Sequence, residues 1–396
     1  MAVTTRASPS GDGRPKLTRR AAIVGWGVGL PTQVVTNADL AERMDTSDEW
    51  IRSRTGIAER RIAEARDTTA SLAITAARQA LQRADADPRQ VDLVIVATAT
   101  PDYPLASTAC LVQDAIGAAD AGAFDLGAGC SGFVYALVMG HRSIASGESD
   151  LVLVIGADTL SRMVDWDDRS TCVLFGDGAG AVLLRATEGS AGIRSTLLGS
   201  DGSGSRMLYV PAGGSARPAC AETVLQKEHA LRMDGRQVYR FATQTMADAC
   251  ERVAERAGVP VKGVHHFVPH QANQRIIAQA AKRLQVDESR FFCNLERYGN
   301  TSAASVPIAL CEAAEGGRFR PGEQVILVGF GAGLTWAAAL LEWGDAEPGG
   351  RVSWWHSLGR KALYGWAHVR SRSRRTWRGA IQRLWRLLLP LTGLDD

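Results

Sequence analysis

Apolar residues follow two patterns along most of this chain: short continuous runs, and longer stretches with the periodicity of a helix. The continuous run Val91–Thr98 (VDLVIVAT) is typical of a strand that is buried on both faces. The stretch Thr68–Ala84 has helical spacing and predicts an amphipathic helix. The same patterns predict further strands from Ala21 and at Phe124–Leu126, Leu151–Gly156, Cys172–Phe175 and Ala181–Arg185, and a helix at Ser131–Ala145.

The second half of the chain repeats this order of elements. An offset of 172 residues, which pairs Asp92 with Val264, places apolar positions of the first long helix on apolar positions of a later one. The glycine-rich segments LFGDGAGAVLL and LVGFGAGLTWAAALL also match, and both predict a pair of strands. Three matched elements in one order indicate an internal duplication, and therefore two α/β halves with mainly parallel sheets covered by helices. The predicted elements of the second half are helices at Val238–Ala257, Ala272–Leu284 and Ser302–Ala314, a strand at Val264–Val268, and a hairpin of Val325–Phe330 and Leu334–Leu341.

The composition permits a large buried core and argues against a nucleic-acid partner. The chain has 396 residues, of which 45% are apolar, and its 45 Lys and Arg nearly balance 42 Asp and Glu. The charge is uneven, because residues 345–396 hold ten basic and four acidic residues and residues 1–20 hold five and one. An acidic body therefore lies between two basic ends.

Seven cysteines without a CxxC pair or a Cys/His metal spacing favour free thiols in a reducing, cytoplasmic setting. No apolar run reaches the ~18–20 residues that span a bilayer, and the N-terminus lacks the apolar segment of a secretory signal. Gly25, Gly27 and Gly29 resemble a dinucleotide-binding loop, but no acidic residue follows at the required distance. We therefore expect a soluble protein without a metal or a cofactor.

The sequence predicts four parts. Residues 1–20 are polar and rich in Ser, Gly and Pro, so we expect a disordered basic leader. Residues 21–190 and 191–344 are the two predicted halves. Residues 345–396 form a basic extension that holds five of the ten Trp. Helical spacing of its apolar residues, together with its basic residues, suits a peripheral contact with an anionic membrane through residues 354–390. It suits equally a helical appendage packed on the acidic body, or disorder.

Three residues with reactive side chains lie where predicted strands meet predicted helices. Cys130 follows a strand and a Gly-Ala-Gly turn and opens a helix, and Asn300 is in the same place in the second half. His270 ends a strand just before a helix. In a duplicated fold these ends meet at the pseudo-twofold axis. A helix start favours a thiolate and offers a backbone N–H to an oxyanion.

Each of these residues also has a structural alternative. A buried cysteine is commonly a small apolar filler, and we expect that of Cys110, Cys172, Cys250 and Cys311. His270 has the alternative of capping a helix start, and an Asn at such a position commonly caps the backbone. The combination of all three residues is what favours catalysis over these alternatives.

Six motifs resemble those of one enzyme family. They are TNADLAERMDTSDEWIRSRTGI, GAGCSGF, LFGDGAGA, VPHQAN, YGNTSAASVPIAL and GFGAGLTW. From about Ala21 to Trp343 the chain resembles the type III β-ketoacyl-acyl-carrier-protein synthases of the thiolase-like superfamily. Thiolases use a second Cys and elongating synthases use two His, whereas plant-type chalcone synthases lack the DEWIRSRTGI and HQAN contexts. The resemblance implies a thiolase-like αβαβα fold with two pseudo-twofold-related halves.

The resemblance also implies a reaction. Cys130 takes the acyl group of an acyl-CoA. Malonyl-acyl-carrier protein then loses CO₂, His270 and Asn300 stabilise the enolate, and the carbanion attacks the acyl-cysteine to give a 3-oxoacyl-acyl-carrier protein. The N–H groups of Cys130 and Ala332 form the oxyanion hole, with Ala332 standing where many relatives have Gly.

Further residues match binding positions of the family. Trp50 and Arg54 match the site of the CoA adenine with Arg169 opposite, while Asn273 and Arg275 match the pantetheine entrance. The resemblance also implies a homodimer, in which Tyr103 occupies the position of a Phe that reaches into the partner's acyl pocket. Arg275, Lys282 and Arg283 share one helix face that suits an acidic carrier protein, with an ordinary solvated face as the alternative.

Two rival functions use the same residues. One is acyl transfer from Cys130 to an alcohol or amine without decarboxylation. The other is a non-catalytic protein that holds acyl chains, which the intact Cys-His-Asn set disfavours.

Overall fold

The computed structural model of the protein describes residues 19–344. The predicted leader up to residue 18, the extension 345–396 and its predicted membrane contact at 354–390 lie outside the described residues. Within the described part, two separate main sheets are flanked and divided by helices.

The first sheet has five strands, and continuous Val, Ile and Leu runs bury it on both faces. All nine residues of its central strand, Leu151–Thr159, are buried. In spatial order the strands are β1 (Arg20–Gly29), β7 (Asp177–Thr187), β6 (Leu151–Thr159), β4 (Leu93–Ala97) and β5 (Gly122–Leu126). The β6/β4 and β4/β5 pairs are parallel, whereas β7 is antiparallel to both β1 and β6.

The second sheet has four strands in the same arrangement. In spatial order they are β8 (Gly192–Ser200), β13 (Thr335–Glu342), β12 (Gln324–Gly331) and β11 (His266–Pro269). The β12/β11 pair is parallel and the other two pairs are antiparallel, as in the first sheet. Leu93 lies opposite Val152, and His266 lies opposite Val325, so both partners move by 173 residues. The duplication predicted from sequence is confirmed, with an offset one residue larger than expected.

Helices form three layers with the two sheets between them. Alternate residues of β6 face different layers: Val152 and Val154 belong to the core between the sheets, and Leu153 and Ile155 belong to the core on the outer face. The helices between the sheets are α5 (Gly132–Ser146) and α10 (Ser305–Glu315). The outer helices are α3 (Thr69–Arg83) and α4 (Thr108–Ile116) on the first sheet, and α7 (Gly235–Arg256) and α8 (Gln274–Leu284) on the second half. The fold is therefore the αβαβα arrangement that was expected.

Short elements complete the described chain. They are the strand pairs β2 (Gln33–Thr36) with β3 (Glu59–Ile62) and β9 (Leu208–Tyr209) with β10 (Arg232–Met233), and the helices α1 (Asn37–Ala41), α2 (Asp48–Thr55), α6 (Ala221–Leu225) and α9 (Leu295–Tyr298).

The predicted strand Cys172–Phe175 is wrong. These residues form a turn, in which the Leu174 N–H donates to the Thr171 carbonyl. Phe175 alone makes a β-bridge, to Asn300. The segment is apolar because it is buried, and burial alone does not distinguish a strand from a turn. The match between the two glycine-rich segments is also wrong, because β7 corresponds to β13 while the LVGFG strand, β12, corresponds to β6.

The glycines of β1 have a packing reason. A Cβ at Gly29 would lie 2.0 Å from the carbonyl oxygen of Leu72. Glycine at this position lets α3 pack directly against the strand, which accounts for the spacing that resembles a nucleotide-binding loop.

Candidate active site

Cys130 lies between the end of a strand and the start of a central helix. After β5 the chain enters a 3-10 turn, Gly129–Ser131, which runs directly into α5. Gly129 has a φ of +52°, a left-handed conformation that glycine adopts without strain. This turn places the thiol at the bottom of a cavity, where the residue is 6% exposed.

The end of β12 packs against the turn that carries Cys130. A Cβ at Gly331 would lie 2.6 Å from the Cys130 nitrogen, and a Cβ at Gly129 would lie 3.0 Å from the Ala332 nitrogen. The absence of these side chains lets two backbone segments approach, each with an N–H group near the thiol. Such a pair of donors is the usual construction of an oxyanion hole.

Two hydroxyl groups fasten these segments together. Ser131 Oγ lies 2.8 Å from the Ala128 carbonyl oxygen and 2.9 Å from Thr335 Oγ1. Thr335 Oγ1 in turn lies 2.9 Å from the carbonyl oxygens of Ala128 and Ala332. The relative position of the Cys130 and Ala332 segments is therefore fixed by hydrogen bonds as well as by packing.

His270 follows β11 and is buried beside the start of α10. Its Nδ1 lies 2.5 Å from Ser305 Oγ, which also accepts the N–H of Gln271 at 3.4 Å. Since the Ser305 hydroxyl accepts from the backbone, its own proton is available to Nδ1. This arrangement favours the tautomer with the ring proton on Nε2.

Asn300 is held by its backbone and by its amide oxygen. Its N–H donates to the Leu174 carbonyl (2.8 Å), and its carbonyl accepts the Gly176 N–H (3.0 Å). Its Oδ1 accepts the N–H of Ser302 at 2.9 Å. Because the oxygen is engaged with the backbone, the NH₂ group is the part of the side chain that remains to donate.

These three residues line one cavity that is partly open to solvent. Its walls are mainly apolar, and its polar lining comes chiefly from Cys130, His270, Asn300 and Asn273. The apolar lining includes Leu174, Phe175, Leu208, Met233, Val238, Phe241, Ile276, Phe330 and Leu334. A narrow apolar cavity ending at a thiol suits a flexible chain that carries a reactive thioester.

Burial makes both the nucleophile and the histidine neutral at physiological pH. It raises the pKa of the Cys130 thiol to about 12, and the charge of Asp158 acts in the same direction. It lowers the pKa of His270 to about 3. A helix start contributes only about 0.3–1 kcal/mol, less than one pKa unit. Burial of the thiol therefore outweighs the favourable effect that the helix start has on the thiolate.

Comparisons with known proteins identify the family. Residues 124–202 match the 3-oxoacyl-[acyl-carrier-protein] synthase III model, and residues 254–343 match the model of its C-terminal part. The chain is 51% identical over 326 residues to the β-ketoacyl-[acyl-carrier-protein] synthase III of Symbiobacterium thermophilum, which covers 82% of this chain and 99% of that protein. The chain belongs to the β-ketoacyl-acyl-carrier-protein synthase III family.

Solved structures agree with this assignment. The 3-oxoacyl-[acyl-carrier-protein] synthase III of Aquifex aeolicus is similar with a TM-score of 0.76 and 45% identity, over 82% of this chain and all of that one. The priming β-ketosynthase of the R1128 polyketide pathway is similar with a TM-score of 0.77 and 36% identity, over 84% of this chain and 99% of that one. The protein is thus an acyltransferase with a thiolase-like fold, and its family favours decarboxylative condensation over acyl transfer without decarboxylation.

The predicted adenine site of this family member forms a cluster of three side chains. The guanidinium groups of Arg54 and Arg169 lie 4.9 and 5.3 Å from the centre of the Trp50 ring. Trp50 is on α2, and Arg169 also pairs with Asp45 at 3.0 Å. The structure therefore brings Arg169 next to two residues that lie more than a hundred positions before it in the sequence.

Asn273 and Arg275 lie at the start of α8. Asn273 caps this helix by accepting the Arg275 N–H at 2.9 Å, and its NH₂ group donates to the Arg54 carbonyl at 3.0 Å. Asn273 also lines the cavity, and Arg275 lies over the ring of Tyr239 at 5.9 Å. Both residues are thus near the cavity mouth, between the thiol and the Trp50 cluster.

The remaining predicted binding residues lie outside the cavity. Tyr103 is 56% exposed and does not contribute to the cavity lining. Lys282 and Arg283 are exposed on α8, and Arg283 pairs with Asp248 of α7 at 2.6 Å. An ion pair of this kind is typical of an ordinary solvated helix face, which was the alternative to carrier-protein binding for Arg283.

Sequence reasoning missed the residues that hold the catalytic side chains. They are Ser131, Asp158, Ser302, Ser305 and Thr335. Four of them are small hydroxyl residues within the quoted motifs, but only tertiary contacts distinguish them from other Ser and Thr. Among the cysteines, Cys172, Cys250 and Cys311 are buried as expected, whereas Cys110 is exposed.

Residues 19–344 contain neither a cluster of metal ligands nor a membrane-spanning helix. No group of three or more His, Cys, Asp or Glu in that part of the chain is arranged to hold a metal ion. None of its helices combines the length and the apolar character needed to cross a bilayer.

Proposed function

We propose that Cys130, His270 and Asn300 catalyse the condensation of an acyl-CoA starter with malonyl-acyl-carrier protein. The observation that carries this proposal is the single apolar cavity that all three side chains line. The positions match those of the family motifs, and each side chain presents the atom that its step requires.

In the first step the Cys130 sulfur attacks the thioester carbonyl of the acyl-CoA. The carbon–sulfur bond to CoA breaks, and the thiol proton ends on the departing CoA sulfur. The N–H groups of Cys130 and Ala332 stabilise the oxyanion between these events. Support for this step comes from the close packing of Gly331 and Gly129 against the opposite segments.

In the second step malonyl-acyl-carrier protein loses CO₂, and the electron pair of the broken bond becomes an enolate. Two neutral donors, His270 Nε2–H and the Asn300 NH₂, stabilise the enolate oxygen. The carbanion attacks the acyl-cysteine and forms the new carbon–carbon bond. The carbon–sulfur bond to Cys130 breaks, and the departing thiolate takes a proton from solvent to regenerate the thiol. Support comes from the engaged Nδ1 of His270 and Oδ1 of Asn300, which leave only donors free.

The proposed substrate path runs from the surface to the thiol. Trp50, Arg54 and Arg169 bind the CoA adenine, and Asn273 and Arg275 accompany the pantetheine arm. The cation–π cluster at Trp50 and the location of Asn273 at the cavity support this path. The carrier protein, with its acidic surface, docks on Arg275, Lys282 and Arg283 of α8, all of which are exposed.

The proposed homodimer forms along β5. This strand pairs only with β4 within the described chain, so its outer edge has unpaired backbone groups. Phe124 of this strand is 39% exposed, and Tyr103 and Leu105 of a nearby loop are 56% and 92% exposed. Tyr103 would then reach the acyl pocket of the second copy, where its hydroxyl affects which starters fit.

We also propose where in the cell the protein is located. The seven cysteines are free thiols, which suits the cytoplasm. The basic, Trp-rich segment 354–390 suits a peripheral contact with an anionic membrane.

The reaction is tested with purified protein, a panel of acyl-CoAs and malonyl-acyl-carrier protein. Mass spectrometry should detect acylated Cys130, released CO₂ and the β-ketoacyl product. Cys130→Ala should abolish acylation, whereas His270→Ala and Asn300→Ala should keep acylation and slow condensation by about 10²–10³-fold. Cys250→Ala, a buried cysteine on α7, is the control and should keep both steps. Acylation without CO₂ release would favour the transferase, and no acylation by any starter would contradict both enzymatic functions.

A further inference from the structure

A buried carboxylate near the thiol has no part in the two steps described above. Asp158 is the next-to-last residue of β6 and is fully buried. Its Oδ1 accepts the N–H of Ala99 at 2.7 Å and the hydroxyls of Thr98 and Thr100 at 3.0 and 2.9 Å. These donors are neutral, and they hold the carboxylate firmly at one oxygen.

The second oxygen of Asp158 faces the start of α10. Oδ2 accepts the N–H of Ala303 at 3.0 Å, and Ala303 directly follows Ser302. Burial raises the pKa of Asp158, while its hydrogen bonds and the nearby Ser302 hydroxyl act to lower it and so favour the charged form. Ser302 and Ala303 belong to the 3-10 turn Ser302–Ala304 that leads into α10. The carboxylate therefore binds the N-terminal end of that helix, where the backbone attracts an anion.

Ser302 connects this carboxylate to two catalytic side chains. Its N–H donates to Asn300 Oδ1, and its hydroxyl acts to lower the pKa of both the Cys130 thiol and Asp158. Its φ of +53° is uncommon for a residue with a side chain, so surrounding contacts must hold it. Asp158 supplies one of these contacts through its hydrogen bond with the N–H of the next residue, Ala303.

The internal duplication shows what this arrangement corresponds to. The 173-residue offset relates Gly129 to Ser302, and these residues have φ values of +52° and +53°. The same offset relates Cys130 to Ala303 and Asp158 to Gly331. In one half the carboxylate of Asp158 accepts a hydrogen bond from the backbone N–H at the helix start. In the other half glycine leaves the N–H of Cys130 uncovered, since any Cβ would lie 2.6 Å from it.

We propose that Asp158 is a positioning residue for the condensation step, filling the anion site at the start of α10 and thereby fixing Ser302 and the Asn300 amide. The proposal rests on the roles proposed above for Cys130 and Asn300. The two helix starts are one structural unit used in two ways: Gly331 leaves one open for the oxyanion of the reaction, and Asp158 closes the other.

Asp158 also affects Cys130, and this effect lowers the reactivity of the thiol instead of assisting the reaction. Its negative charge adds to burial in raising the pKa of the Cys130 thiol. Removing the charge should therefore make the thiol more reactive while it releases the Asn300 amide. A general loss of structure would instead slow both reactions.

The test compares these two reactions in Asp158→Asn. The amide keeps the shape and one accepting oxygen, but its NH₂ group meets the Ala303 N–H and cannot accept from it. We expect condensation to slow at least about tenfold through the misplaced donor. Alkylation of Cys130 by iodoacetamide at pH 8, followed on the Cys130 peptide by mass spectrometry, should be at least about threefold faster.

Two further variants separate the causes. Asp177→Asn removes another buried carboxylate, which binds Ser161 and Ala63 and not α10, and should leave the ratio of the two rates unchanged. Ser302→Gly keeps the φ and the N–H but removes the hydroxyl, so condensation should slow without faster alkylation. This variant also tests the proposal if Asp158→Asn does not fold.

Two results would overturn the proposal. One is a proportional loss of both rates in Asp158→Asn, and the other is normal condensation in Ser302→Gly. A wild-type protein that does not acylate Cys130 or release CO₂ would instead overturn the catalytic roles on which the proposal rests.

Discussion

Cys130 and His270 have pKa values shifted in opposite directions for one reason. Burial penalises the charged form of each, which is the thiolate of one and the imidazolium of the other. The site therefore begins the reaction without a charge on either residue. Its donors act on charge that develops during the reaction, and the dry surroundings strengthen that action.

The neutral imidazole predicts an unusual pH profile. Since burial lowers the pKa of His270 to about 3, the ring stays neutral and keeps its Nε2–H donor from pH 5 to pH 8. Single-turnover CO₂ release from the acylated enzyme should therefore show no inflection near pH 6.5, the ordinary value for His. Rapid-quench measurement across this range tests the prediction. A half-maximal loss near pH 6.5 would mean that His270 is charged in acid and is exposed to water.

At the scale of elements, the site depends on how closely β12 approaches the turn before α5. Sequence patterns predicted both elements but not their contact, because the glycines that permit it resemble any glycine-rich loop. Sequence patterns also misassigned Cys172–Phe175, because a buried apolar turn has the same composition as a buried strand. The backbone of that segment hydrogen-bonds to Asn300 and does not join a sheet.

Because β12 contacts the turn at Gly331, we expect this position to be sensitive to substitution. In Gly331→Ala the added Cβ would lie 2.6 Å from the Cys130 nitrogen and 2.9 Å from its Cβ, so the turn must move. A displacement of this kind costs about 10²-fold in rate, and we expect at least that loss in acylation of Cys130. Gly202→Ala, where a Cβ meets nothing within 4 Å, is the control. Unchanged acylation in Gly331→Ala would show that the oxyanion hole tolerates the shift.

At the scale of the whole molecule, duplication explains why one half supplies the nucleophile and the other supplies the donors. Both halves end strands at the same place and begin a helix there, so their functional residues meet between the two sheets. The extension beyond residue 344 lies outside the described residues. Its composition is the reason to test it separately.

The extension predicts binding to anionic vesicles. A chain truncated after Trp343 should keep its condensing activity but lose sedimentation with vesicles that contain phosphatidylserine. Near such a surface each basic residue contributes about 1 kcal/mol, and salt weakens the attraction. Vesicles of neutral lipid are the control for the full-length chain. Equal vesicle binding by both chains would remove the proposed membrane contact.

The sequence by itself determined the order of the elements, the duplication, the family motifs and the three candidate catalytic residues. These follow from local periodicity and from residue types at the ends of strands and helices. Only the tertiary structure decided the neutral state of Cys130, because that depends on burial by distant segments. It also decided the contact of Asp158 with Ala303, whose positions differ by 145 in the chain. Hydrogen bonds between such distant residues leave no periodic pattern, so they become visible only when the fold brings the two halves together.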